Sequence, residues 1–145
     1  MILEKIFEPE YEEKELFKIT VKKEWQISTA RRNLNQLAKA KGFNINQTAE
    51  LVTSISELAY NLFFHTTDGG EITISTIEDA ANTAIKLISR DTGPGIVSIE
   101  TALQDGYSTN GGLGGGLPGV KRLMDDFSIS STQNGTLISC IKWRS

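Results

Sequence analysis

The chain is poor in the residues that most often build reactive centres. Among its 145 residues it has one cysteine, Cys140, so no internal disulfide can form. It also has one histidine, His65. A lone Cys with a lone His cannot supply the three or four N and S ligands of a zinc site. Nothing in the sequence marks the partners that His65 would need in a nucleophile–histidine–carboxylate triad. Cys140 lies in the apolar run 137–143 and reads as an inert core thiol rather than a nucleophile. Its solitude fits a reducing compartment. No apolar stretch is long enough for a transmembrane helix, and the acidic start lacks the basic leader of a signal peptide. The expectation is a cytoplasmic chain without membrane association. Excess positive charge is missing as well: the net charge is −3, which argues against a general nucleic-acid face.

What is present describes one globular domain. Hydrophobic residues make up 39% and charged residues 23%, enough to bury a core and too apolar for a disordered chain. Residues 1–15 hold six glutamates against two lysines, a balance of −4, so the acidity of the whole chain sits at its start. This divides the sequence into an acidic N-terminal extension, 1–15, and a domain, 16–145. Such a start reads as a solvated tail or an edge strand.

The periodicities predict an order of elements. A strand covers 16–22. A helix runs to Ala40 with Ser28 or Thr29 as its cap and Gly42 just past its end. Asn46 caps a longer helix reaching His65. Strands follow over 71–78 and 84–90 after the turn Asp68-Gly69-Gly70. A short helix is expected over 97–103, and a helix opened by Pro118 runs to about Asp126. Strands over 127–131 and 136–143 close the chain around Gln133-Asn134-Gly135. Neighbouring strands that pair make a mixed or antiparallel sheet with helices on one face, an α+β, two-layer α/β sandwich.

Three places can carry chemistry. On the second long helix Leu51, Ile55, Leu58 and Leu62 form an apolar band, beside a polar stripe of Glu50, Ser54, Glu57, Asn61 and His65. Glu57 and Asn61 are one turn apart, so their oxygens can hold a hard cation or orient a proton acceptor; otherwise the stripe is the wet face. Alternation places Asp91 at the end of the row Ile85, Leu87, Ser89, followed by Thr92-Gly93-Pro94-Gly95. That carboxylate can accept from a ligand's amino group or close an Asx-turn. Third, seven of the 13 glycines fall between Gly106 and Gly119. Gly114, Gly116 and Gly119 match G-x-G-x-x-G, yet no hydrophobic strand precedes them and no acid lies near Ser139, so a dinucleotide fingerprint fails. A P-loop fails too, because Val120-Lys121-Arg122 follows Gly119. A glycine run ending at a helix N-terminus, suited to phosphate, remains beside the reading of a plain surface loop.

The order of these motifs is more specific than any one of them. Glu57…Asn61, then Asp91-Thr-Gly-Pro-Gly95, a glycine-rich lid, and Gly135-Thr136 resemble the motif series of the GHKL (Bergerat-fold) ATP-binding family. The run from Asp105 to Phe127, with Ser56-Glu-Leu-Ala59 and the ending Ile141-Lys-Trp-Arg144, is similar to the RsbT-type serine/threonine kinases within it. The likeness extends from Phe17 to Arg144.

The resemblance implies ATP and Mg²⁺ as cofactors, with Asn61 on the metal and Glu57 as general base or water-organising carboxylate. It implies that Asp91 accepts from the adenine amino group with support from Thr136, through its hydroxyl or a water, and that Gly93 and Gly95 let the backbone pass close to the base. Gly112, Gly114, Gly116 and Gly119 become lid and phosphate cradle, with Lys121 nearby. The implied partners are a STAS-domain protein as phosphorylation substrate and a PP2C-type phosphatase to be activated. The alternative is an RsbW-like anti-sigma factor. Tyr60 departs from the arginine that close relatives generally carry at that position.

Overall fold

A computed structural model describes residues 11–66, 68–93 and 116–145. Five strands form one sheet in the order β1-β2-β3-β5-β4. They are β1 (Glu12–Val21), β2 (Gly70–Glu78), β3 (Thr83–Asp91), β4 (Asp126–Thr132) and β5 (Gly135–Trp143). Every pairing is antiparallel, so of the two expected sheet types the mixed one is not adopted. The helices are α1 (Glu24–Ala40), α2 (Ile45–His65) and α3 (Gly116–Leu123). The short helix expected over 97–103 lies outside the described residues.

β1 starts four residues earlier than the alternation suggested. Glu12, Glu13 and Lys14 pair with Glu78, Ile77 and Thr76 of β2, so part of the acidic start is an edge strand. Charged residues on an edge discourage further strand pairing.

The helix caps also differ from expectation, for a local reason. α1 begins at Glu24, which places Ser28 and Thr29 inside the helix. Gln26 makes this possible, because its side-chain oxygen accepts from the backbone N–H groups of Lys22 and Lys23 at 2.7 and 2.8 Å. The Thr29 hydroxyl turns back to the Trp25 carbonyl at 3.4 Å. Asn44, not Asn46, caps α2 and accepts from Gln47 N–H at 2.8 Å. Gly42 ends α1 as expected, with φ +81°. α3 starts two residues before Pro118.

The core lies between the helices and one face of the sheet. Ile72, Ile74, Ile85, Leu87 and Ile138 meet Leu34, Leu51, Ile55, Leu58 and Leu62, each fully buried or within about a hundredth of it. Cys140 belongs to this layer, and burial pushes its thiol pKa up to about 12. Lys142 ends the same row of β5 and is 7% exposed. Its Nζ donates to the Leu123 carbonyl at 2.8 Å and lies 3.3 Å from Glu50 Oε1. One cation thereby joins α2, the end of α3 and β5.

Candidate functional site

The polar stripe of α2 is not a wet face. Its apolar band faces the sheet, and at 100° per residue the stripe lies to one side of that band. There Ser54 and Glu57 are buried, Glu50 and Asn61 are half-buried, and only His65 is exposed. Glu57 is 3% exposed. Carboxylates are seldom buried this far unless they are paired, hydrogen-bonded or bound to a cation. α2 is in contact with α3, and Lys142 ties Glu50 of this stripe to the Leu123 carbonyl at the end of α3. Ser54, one turn ahead of Glu57, has a buried hydroxyl without a hydrogen-bond partner among the described residues. On the outward side Tyr60 is half-buried and stacks on Phe64 with ring centroids 5.7 Å apart.

The second group forms where β3 ends against β5. Asp91 is the register partner of Thr136, and Thr136 is also that of Ser131. The Asp91 carboxylate accepts the Gly93 N–H at 3.0 Å, which is the Asx-turn. The backbone N–H of Thr136 donates to it too. A carboxylate has about four acceptor positions, so the turn and a role as ligand acceptor are compatible. Burial raises the Asp91 pKa above its ordinary value, and the two backbone donors oppose that rise without cancelling it. The Thr136 hydroxyl lies 2.9 Å from Ser131 Oγ. Thr136 thus meets Asp91 through its backbone while its hydroxyl is shared with Ser131.

Glycine is required here at Gly135, where φ is +145° and a Cβ would overlap the Asp91 carbonyl oxygen. Gly93 differs. A Cβ there would sit 3.6 Å from Asp91 Oδ1, an ordinary contact, so the protein itself does not demand glycine at that position.

At the third place, Gly116 opens α3 with φ +71°, and Gly116 and Gly119 are buried while Lys121 is exposed. Gly95, Gly112 and Gly114 lie outside the described residues.

Comparison with known proteins places this arrangement. A family model described as "Histidine kinase-like ATPase domain" matches residues 19–142. The chain belongs to this family. Within the histidine kinase-like ATPases it is 44% identical over 126 residues to serine/threonine-protein kinase RsbT of Bacillus subtilis (strain 168), covering 86% of this chain and 94% of that protein. Among solved structures it is similar to the RsbU and RsbW domains of a Mycobacterium tuberculosis protein, with a TM-score of 0.61 at 20% identity. That likeness covers 89% of this chain and 33% of the other, and it bears on the fold alone.

ATP binding follows from the family, and the residues present fit the nucleotide and a divalent cation. The Asn61 amide oxygen is a hard donor of the kind Mg²⁺ takes, and the Glu57 carboxylate one turn away adds negative charge beside it. No three His, Cys, Asp or Glu side chains converge among the described residues. A cation here would therefore take most ligands from phosphate and water, as Mg²⁺ commonly does. One contributor to the site, and the reason for another, went unread in the sequence. Ser131 could have been found by pairing strands across the turn before Gly135, which sets it opposite Thr136. The Gly135 clash depends on the β3–β5 approach, for which no local signal exists.

Proposed function

We propose that this chain is an ATP-dependent protein serine/threonine kinase that phosphorylates a STAS-domain partner and activates a PP2C-type phosphatase in a bacterial partner-switching pathway. The observation that carries this reading is the buried Glu57 one turn from Asn61 on α2, a helix that packs against α3. The 44% identity to a protein named as a serine/threonine kinase supports it.

In this reading Asp91 receives the adenine amino group, with its carboxylate fixed by the Gly93 and Thr136 N–H groups. Asn61 would hold the divalent cation through its amide oxygen, and that cation would supply charge neutralisation at the phosphates. The N-terminus of α3, with Gly116 and Gly119, offers backbone N–H groups to the phosphate chain, and Lys121 adds charge beside it. Glu57 accepts the proton of the acceptor hydroxyl as that oxygen bonds to the γ-phosphorus and the bond to the ADP oxygen breaks. Phosphoryl transfer asks for positioning and charge neutralisation, and these groups supply both.

The test is incubation with labelled ATP and the STAS protein encoded beside this gene. Label is expected on a serine or threonine of that protein, and Asn61→Ala is expected to abolish transfer. No label, or transfer unaffected by Asn61→Ala, would sink the kinase assignment. Recovery of a sigma factor, with no STAS partner, would favour the anti-sigma alternative instead.

A further inference from the structure

The outer side of the α1–α2 hairpin carries a feature that nucleotide chemistry does not use. Two hollows of about 290 and about 380 Å³ adjoin there and share Asn35 and Val52. Together they make one groove bordered by α1 from Ser28 to Lys39, a length of roughly 16 Å at 1.5 Å per residue. The floor is apolar: Val52, Ala49 and Phe43 line it, and Ile45 stands at its end 88% exposed. The walls are basic. Arg31, Arg32 and Lys39 line the groove, and no acidic residue does. None of the three forms an ion pair among the described residues. A cluster of uncompensated cations around an apolar floor reverses the sign of a chain whose net charge is −3. Val52 lies about 140° around α2 from Glu57, so the groove and the nucleotide site use different sides of that helix.

We propose that this groove binds an acidic amphipathic helix presented by a partner protein. Apolar residues spaced at three and four along such a helix would fill the hollow over Val52 and Ala49, in the manner of helix-in-groove recognition. Carboxylates flanking them would meet Arg31, Arg32 and Lys39, which sets orientation and excludes basic or neutral helices. Charge also decides against a second copy of this chain seated groove to groove, because that symmetry brings the cations together. The inference concerns a surface separate from the kinase reading and stands without it.

The test uses a labelled synthetic peptide of about four helical turns, with leucines along one face and glutamates beside them. It is titrated with the full chain by fluorescence anisotropy. Controls are a scramble of the same composition and a version with lysine in place of glutamate. The parent peptide is expected to bind at least about tenfold more tightly than either control. The double variant Arg32→Glu, Lys39→Glu is expected to lower its affinity about tenfold or more while ATP affinity stays unchanged. Arg32 is exposed, so Arg32→Ala alone keeps the test decisive if the double variant does not fold, with a loss of about threefold. Equal binding of the scramble, or unchanged affinity in both variants, would overturn the proposal. So would a tenfold gain on removing residues 1–10, which would make the chain's own acidic start the occupant. Dimers in sedimentation that Arg32→Glu dissociates would overturn it as well.

Discussion

At the residue scale, Asp91 ties stability to binding. Burial raises its pKa above 3.8, so the folded protein holds that proton more tightly than the unfolded chain does. Keeping Asp91 ionised therefore costs stability near neutral pH, and the cost vanishes as pH falls through the folded-state value. Asp91→Asn, neutral at every pH, is expected to melt at the same temperature or slightly higher near pH 7. It should lose that advantage near pH 3.8 and below, as thermal unfolding at the two pH values would reveal. The same variant gives up a charge-assisted hydrogen bond to the ligand, and calorimetry should find ATP affinity weakened about tenfold or more. Gly135 has the opposite character. Gly135→Ala forces a Cβ against the Asp91 carbonyl at a φ that side chains rarely adopt, with an expected loss of about 1–3 kcal/mol in denaturant unfolding and a parallel loss of ATP affinity. Cys140 offers a control remote from the site. With its thiol buried and its pKa about 12, alkylation near pH 8 should proceed only as fast as the protein unfolds. The sequence announced Asp91 through the alternation of its strand and Cys140 through the apolar run around it. It marked Gly135 as a turn and motif residue but not its constraint, which comes from a neighbour more than forty positions away in the chain.

Among the elements, α2 organises most of the molecule: one side packs the core, another carries Glu57 and Asn61, and a third borders the basic groove. Its apolar band was legible because the 3.6-residue period is strong from Leu51 to Leu62. Its cap was not, because Asn44 and Asn46 are equally good cap residues and only the loop after Gly42 decides between them. Ser28 and Thr29 misled for a related reason: a Gln side chain satisfied the first turn of α1 earlier in the chain. The wet-face reading of the α2 stripe failed because Ser54 and Glu57 are buried, and no period within α2 reports what will pack beside it. Lys142 tests how firmly these elements are held. Lys142→Met removes the donor to the Leu123 carbonyl and leaves Glu50 without its cation. Since Lys142 is largely buried, a loss of about 1–3 kcal/mol is expected in chemical denaturation, with α3 showing the faster amide exchange.

For the whole molecule, the order of elements predicted the architecture, since strands joined by short turns pair with each other and two long helices need a common face to cover. Antiparallel pairing throughout was one of two options, and it prevailed because each described connection returns the chain to pair with a neighbour in the opposite sense. The helical layer then puts Glu57 and Asn61 on one side of α2, and the sheet presents Asp91 and Thr136 where β3 ends beside the start of β5. The central claim for this molecule is that Glu57 acts in the chemical step rather than in folding or nucleotide binding. Glu57→Gln keeps the size of the side chain and removes its basicity, so the decisive measurement compares ATP affinity with the rate of phosphoryl transfer in this one variant. ATP affinity is expected to stay within about threefold of the wild type, with transfer slowed by roughly 10²–10⁴. Transfer at the wild-type rate, or a loss of transfer matched by an equal loss of ATP affinity, would contradict that claim.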